Sequence, residues 1–341
     1  MTALTTPAPK TAGQPTVAAR PLRWLLRLHR SGLRVWAALV VLLALGLLWL
    51  GGPLTDAAAE SWRQYDACHG TGPCSYYQDP ILRYKDVYAY TTLALNLLPF
   101  LVAAWAGAAL VGRELENGTA HLAWTQGVSP TRWLTAKLAV PAVPVAAGTS
   151  LLVLLHRLAW TAGEGRIGTA DHWSAGLTLH ANGPTTVALA LAGLAAGALA
   201  GLLLRRTLSA LPAALAATAG LRVLADTAMP HLWPADTSVT SLATGYVYDG
   251  IQVDAGLVTS SGAHIADPGC GSAPADACDA LHAELDATAF YTTYHPESHY
   301  WPLQLTTAAL LLAVAAAVTV TAFWLLRRST ATPRARREAA V

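Results

Sequence analysis

Six stretches of the chain stay apolar for membrane length: residues 35–54, 89–111, 138–160, 185–204, 208–229 and 302–326. A bilayer-crossing helix needs about 20 such residues. Lipid offers no partner to an open backbone group, so each run must close its own hydrogen bonds as a helix. The pattern therefore predicts an all-α membrane protein with six transmembrane helices. Polar intervals divide the chain into a tail (1–34), a five-span region (35–230), a long polar segment (231–301), the sixth span (302–326) and a basic tail (327–341). The interval between the fifth and sixth spans is too long for a plain connection and predicts a small ordered unit. Ala57-Ala58-Ala59 suits a signal-peptide cleavage site, but the run before it and its flank are both too long for a signal peptide.

The interval 112–137, GRELENGTAHLAWTQGVSPTRWLTAK, is patterned unlike a loop. Asn117-Gly118 is a stop signal, since glycine enters the left-handed region at no steric cost. Thr119 then stands where it can cap a short helix over 120–126, which Gly127 ends. Ser129-Pro130 opens the next helix, with serine as N-cap and proline in the first turn. A short helix held between two spans, here within 119–127, is a docking element.

Charge gives the pattern a direction. Only 12% of residues are charged against 54% hydrophobic, about half the charge of a soluble domain. Of the 22 Lys and Arg, 16 fall in 1–34, in 112–137, at Arg205-Arg206 and in 327–341. Basic residues favour the cytoplasmic side, so both termini are expected inside and the 231–301 segment outside. Arg23, Arg27, Arg30 and Arg34 recur at helical spacing, which suits either a basic amphipathic helix on anionic lipid or an ordinary positive flank. All four cysteines fall in the expected outer intervals, where disulfides persist. Local Cys68–Cys74 and Cys270–Cys278 closures are the preferred pairing of three, with free thiols as the alternative.

Other constellations are weaker. Arg222 and Asp226, four apart in the fifth span, share a helix face and read as a structural or interface pair, or else as a substrate contact. Gly193, Gly197 and Gly201 make two GxxxG steps that suit close packing within the bundle or between copies. His295 and His299 in HPESH are not an HExxH site, because Pro296 disfavours the helical pair, and no metal is expected. No nucleophilic triad stands out, and nothing points to nucleic acid. The three lysines, Lys10, Lys85 and Lys137, lack the glycines of GxxxxGK[ST], so no ATP site of that kind lies in this chain.

The 112–137 interval resembles the cytoplasmic signature of ABC-2-type transporter permeases, in an actinobacterial branch. The matching positions are Glu114, Gly118, Thr119, Leu122, Ser129-Pro130, Arg132 and Lys137. GALAGLLLRRT at 197–207, the Arg222 region and YHPESHYWPLQ at 294–304 are similar to the same branch. Gly127 and Pro130 depart from it, the branch usually having serine and often a basic residue there. The resemblance implies a multi-pass subunit of a bacterial cell membrane that exports a cargo and is not itself an enzyme. It implies a homodimer or a paired permease, surrounded by lipid. It also implies a separate ATP-binding subunit that holds the ATP and is met by Glu114, Glu116, Gly118, Thr119, Leu122, Trp124, Arg132 and Lys137 around a coupling helix. The alternative is a membrane sensor or immunity protein that binds an extracellular ligand.

Overall fold

The computed structural model describes residues 30–68, 75–270 and 275–338. Cys74 and most of the basic stretch at 22–34 lie outside them. In chain order the helices are α1 (Arg30–Ala67), α2 (Asp79–Glu116), α3 (Thr119–Thr125), α4 (Pro130–Gly163), α5 (Gly176–Ala181), α6 (Pro184–Leu204), α7 (Thr207–His231), α8 (Ala275–Glu284) and α9 (Glu297–Thr330). Six of these, α1, α2, α4, α6, α7 and α9, are long and apolar enough to cross a membrane. Their outward faces carry large apolar side chains, with Val35, Leu42, Leu208 and Val320 all more than half exposed. Water does not favour such an exterior, and lipid does.

Several helices overrun the apolar runs that predict them. α1 continues thirteen residues past Leu54 to Ala67. The reason is local: TDAAAESWRQYDA is rich in helix formers, and Pro53 is absorbed in a wide π-type turn over Leu50–Leu54. The Thr55 hydroxyl donates to the Leu50 carbonyl, 2.6 Å away, and closes that turn. Ala57-Ala58-Ala59 is thereby helical, with Ala58 and Ala59 buried.

α6 sits at the centre and packs against α2, α4, α7 and α9. Its glycines explain how. A Cβ on Gly193 would stand 2.8 Å from the Pro99 carbonyl oxygen, one on Gly197 would strike that of Ala103, and one on Gly201 would stand 2.9 Å from that of Gly107. Two rows of period four, 193/197/201 on α6 and 99/103/107 on α2, therefore interlock backbone to backbone. α2 widens into a π-type stretch over Ala106–Gly112 at that crossing.

Two intervals fold beyond the helical pattern. Between α4 and α6 the chain does not cross the surface as a simple loop. Ile167, Trp173, Thr178, Leu179, His180 and Asn182 are all buried, so the segment plugs one end of the bundle. Backbone carbonyls buried there need donors, and side chains of the surrounding helices supply them. Asn96 reaches Leu177 O at 3.0 Å, Gln304 reaches Leu179 O at 2.7 Å and Tyr300 reaches Asn182 O at 2.6 Å.

The second departure corrects the all-α expectation. The segment between α7 and α9 forms an antiparallel four-stranded sheet in the order β1-β4-β2-β3, from β1 (Asp236–Ser241), β2 (Ile251–Thr259), β3 (His264–Ile265) and β4 (Ala287–His295). β4 is central and reads ATAFYTTYH, whose threonines and aromatics fit a pleated surface. Thr237 and Thr293 face each other across β1 and β4 with their hydroxyls 3.0 Å apart. Burial, and a 3.1 Å hydrogen bond to Asp254, push the Tyr291 hydroxyl above the ordinary tyrosine range.

Candidate functional site

The turn between α2 and α4 is built by backbone geometry first. Gly118 takes φ of 72°, which ends the four-residue tail of α2 and starts α3. The expected Thr119 cap does not form. Gly118 occupies the capping position, and Thr119 is already helical, its hydroxyl donating back to the Glu114 carbonyl at 3.1 Å. Ser129 does cap the next helix, accepting from the Arg132 backbone N–H at 3.3 Å, with Pro130 in the first turn.

Two carboxylates fasten this turn to the bundle. Glu114 pairs with the Lys137 ammonium through one oxygen and accepts from Trp133 Nε1 at 3.1 Å through the other. That ties the end of α2 to the first turns of α4. Lys137 is 3% exposed, so it is a buried partner of Glu114. Glu116 accepts from both the backbone N–H and the hydroxyl of Thr207, at 2.9 and 2.6 Å, which fixes the end of α2 to the start of α7. The tight Arg205-Arg206 turn sits beside it, with Arg205 at φ of 52°.

α3 lies on this clamp with two different faces. Ala120 is fully buried, and Trp124 meets the Trp133 ring edge to face at 5.8 Å. His121 and Leu122 point away, with Leu122 57% exposed, and Arg132 stands free of the bundle nearby. A cleft of 480 Å³ opens between α3 and the end of α9, lined by Leu115, His121, Trp124, Leu202, Leu326 and Ser329. The arrangement leaves an apolar knob, Leu122, and a cation, Arg132, exposed on a turn fastened to the bundle.

The remaining sequence-selected residues lie toward the other end of the bundle or along it. Arg222 and Asp226 pair at 3.0 Å, about 22 and 28 Å along α7 from Thr207. They belong to a larger set that the spacing did not reveal. Arg222 donates to Asn96 of α2 at 2.9 Å, and Asp226 meets His180 of the plug at 2.7 Å. Beside them His156 bridges Thr92 at 2.8 Å and Asn182 at 2.6 Å. Single polar residues in apolar runs were the available signal for Asn96 and His156.

The glycines Gly193, Gly197 and Gly201 stay on the α2 crossing. Cys270 and Cys278 form a disulfide with Cα atoms 5.4 Å apart, and Cys68 is likewise disulfide-bonded. His295 and His299 bring Nδ1 atoms to 3.2 Å, but the other ring nitrogen of His295 lies 2.9 Å from the Pro230 carbonyl oxygen. A residue missed entirely is His282, which the fold sets beside the Cys270–Cys278 bridge.

Comparison with known proteins adds one finding. A family model described as ABC-2 membrane transporter related matches residues 37–229, which run from α1 through α7 and include the α3 platform. No curated protein and no solved structure matches the chain.

Proposed function

The chain belongs to the ABC-2 membrane transporter related family, and we propose that within it this chain is the membrane-spanning half of an exporter driven by ATP-binding subunits on separate polypeptides. As a multi-pass protein of the cell membrane it supplies the transport path, and the family implies an ABC ATP-binding partner. The observation that carries the finer reading is the α3 platform: a short helix on a turn whose carboxylates fasten α2 to α4 and α7, with Leu122 and Arg132 exposed. The chain has no GxxxxGK[ST] sequence of its own, so the nucleotide belongs to the partner.

The bias of basic residues supports a topology with α3 and both termini in the cytoplasm and the sheet outside. When two ATP-binding subunits close on ATP, the groove holding α3 moves, and the clamp carries that motion into three helices at once. Glu114 passes it to α4, Glu116 passes it to α7, and α2 is continuous with both carboxylates. Two such bundles, from two copies or from a paired permease, tilt against each other and alternate access to the path. The Arg222–Asp226 pair holds α2, α7 and the plug together in this scheme.

Co-expression with an ABC ATP-binding subunit from the same genome tests the reading. The two should co-purify from membranes, and Gly118→Pro should abolish the association while leaving the chain inserted. Unchanged association and transport in that variant would remove α3 from the coupling role. The sensor or immunity alternative has nothing comparable in its favour.

A further inference from the structure

The polar unit between α7 and α9 contains a donor cluster unrelated to the α3 platform. Cys278 and His282 stand one turn apart on α8, so both side chains leave the same face. Cys270 reaches that face from the segment after β3. A turn held by Asp267 delivers it: the Asp267 carboxylate accepts from the Gly269 backbone N–H at 2.8 Å and from the Tyr246 hydroxyl at 2.7 Å. The His282 ring is 7% exposed and is steadied edge-on by Phe290 of β4, with centroids 5.5 Å apart. Its Nε2 lies 3.9 Å from the sulfur of Cys270 and 3.9 Å from that of Cys278.

That equal spacing is close to what a metal centre needs. With Zn–S near 2.3 Å and Zn–N near 2.05 Å, tetrahedral angles put sulfur and nitrogen about 3.6 Å apart and the two sulfurs about 3.8 Å apart. The imidazole therefore stands within a few tenths of an ångström of its place for both sulfurs. What excludes an ion is the bond between the sulfurs themselves. Both sulfurs are half-buried and the imidazole is buried, so an ion would enter from the sulfur side and keep an open fourth position.

We propose that Cys270, Cys278 and His282 form a thiol-gated site for a thiophilic divalent cation of the zinc class. A dithiol reductant supplies two electrons and two protons, leaves as its own disulfide and converts the bridge to two thiols. The cation then binds both sulfurs and His282 Nε2, and the two thiol protons pass to solvent. Disulfide and metal complex are mutually exclusive states of one site. Hard cations such as Mg²⁺ are poor occupants of two thiolates and an imidazole.

The test uses full-length protein in detergent carrying Cys68→Ser and Cys74→Ser, so that no other thiols contribute. Co²⁺ is titrated into oxidised and reduced samples, and thiolate-to-cobalt charge-transfer absorption is read. The reduced sample should saturate at one ion per chain, be displaced by Zn²⁺ and not by Mg²⁺, and lose the band in Cys278→Ser. His282→Ala and His282→Gln should weaken binding at least tenfold. The oxidised sample should show no band. A reduced protein without the band overturns the proposal, as does an equal band in the oxidised protein or unaltered affinity in both His282 variants. The oxidised–reduced comparison needs no further variant, so a folding defect in one of them leaves the test intact.

Discussion

At the residue scale, the clamp depends on a buried charge, Lys137, that Glu114 neutralises. Removing one member of a buried ion pair costs about 3–5 kcal/mol, because the other is left uncompensated. Glu114 keeps some solvent contact, so Glu114→Ala should fall near the lower end, about 3 kcal/mol, by stranding Lys137 and releasing Trp133 Nε1. Thermal unfolding in detergent measures it, and the double variant Glu114→Leu/Lys137→Met should recover much of the loss. The sequence showed Glu114 and Lys137 as members of one motif but not as partners. They stand 23 residues apart on different helices, and no local rule pairs them. Thr119 misled for the opposite reason: its type suits a cap, but the left-handed Gly118 already holds that position. His282 was hidden because its meaning depends on Cys270, which a turn and not a periodicity brings near.

At the element scale, the crossing of α2 and α6 leaves no space for side chains. Gly197→Ala forces a Cβ into the Ala103 backbone and should destabilise by about 1–3 kcal/mol, as overpacking does. Gly220→Ala on α7 has nothing within 4 Å of its Cβ and should be neutral or stabilise by up to about 1 kcal/mol, which makes it the matched control. Arg222→Ala breaks a different joint. It removes the donor on Asn96 and one partner of Asp226, so the plug should loosen from α2 and α7. Faster hydrogen exchange across 173–183 checks this, and unaltered exchange there would contradict it. The helices were legible because lipid demands long apolar runs, and caps marked the turn at α3. The plug was not, since its burial rests on donors from α2 and α9 that periodicity cannot show. The sheet was missed because its alternation is short and lies among turn residues.

For the whole molecule, one end of the bundle is a fastened platform and the other is a packed plug beneath a sheet. Glu114 and Glu116 fasten the end of α2, just before α3, to α4 and α7, while Leu122 on α3 is more than half exposed. On the proposed function, the exposed face of α3 is the part held by the ATP-binding subunit. A photoreactive phenylalanine analogue placed at the position of Leu122 in living cells tests it most directly, with the adduct identified by mass spectrometry. A crosslink should form to a polypeptide carrying GxxxxGK[ST] and should be lost when Gly118→Pro is added. Normal membrane insertion without any such crosslink would contradict it.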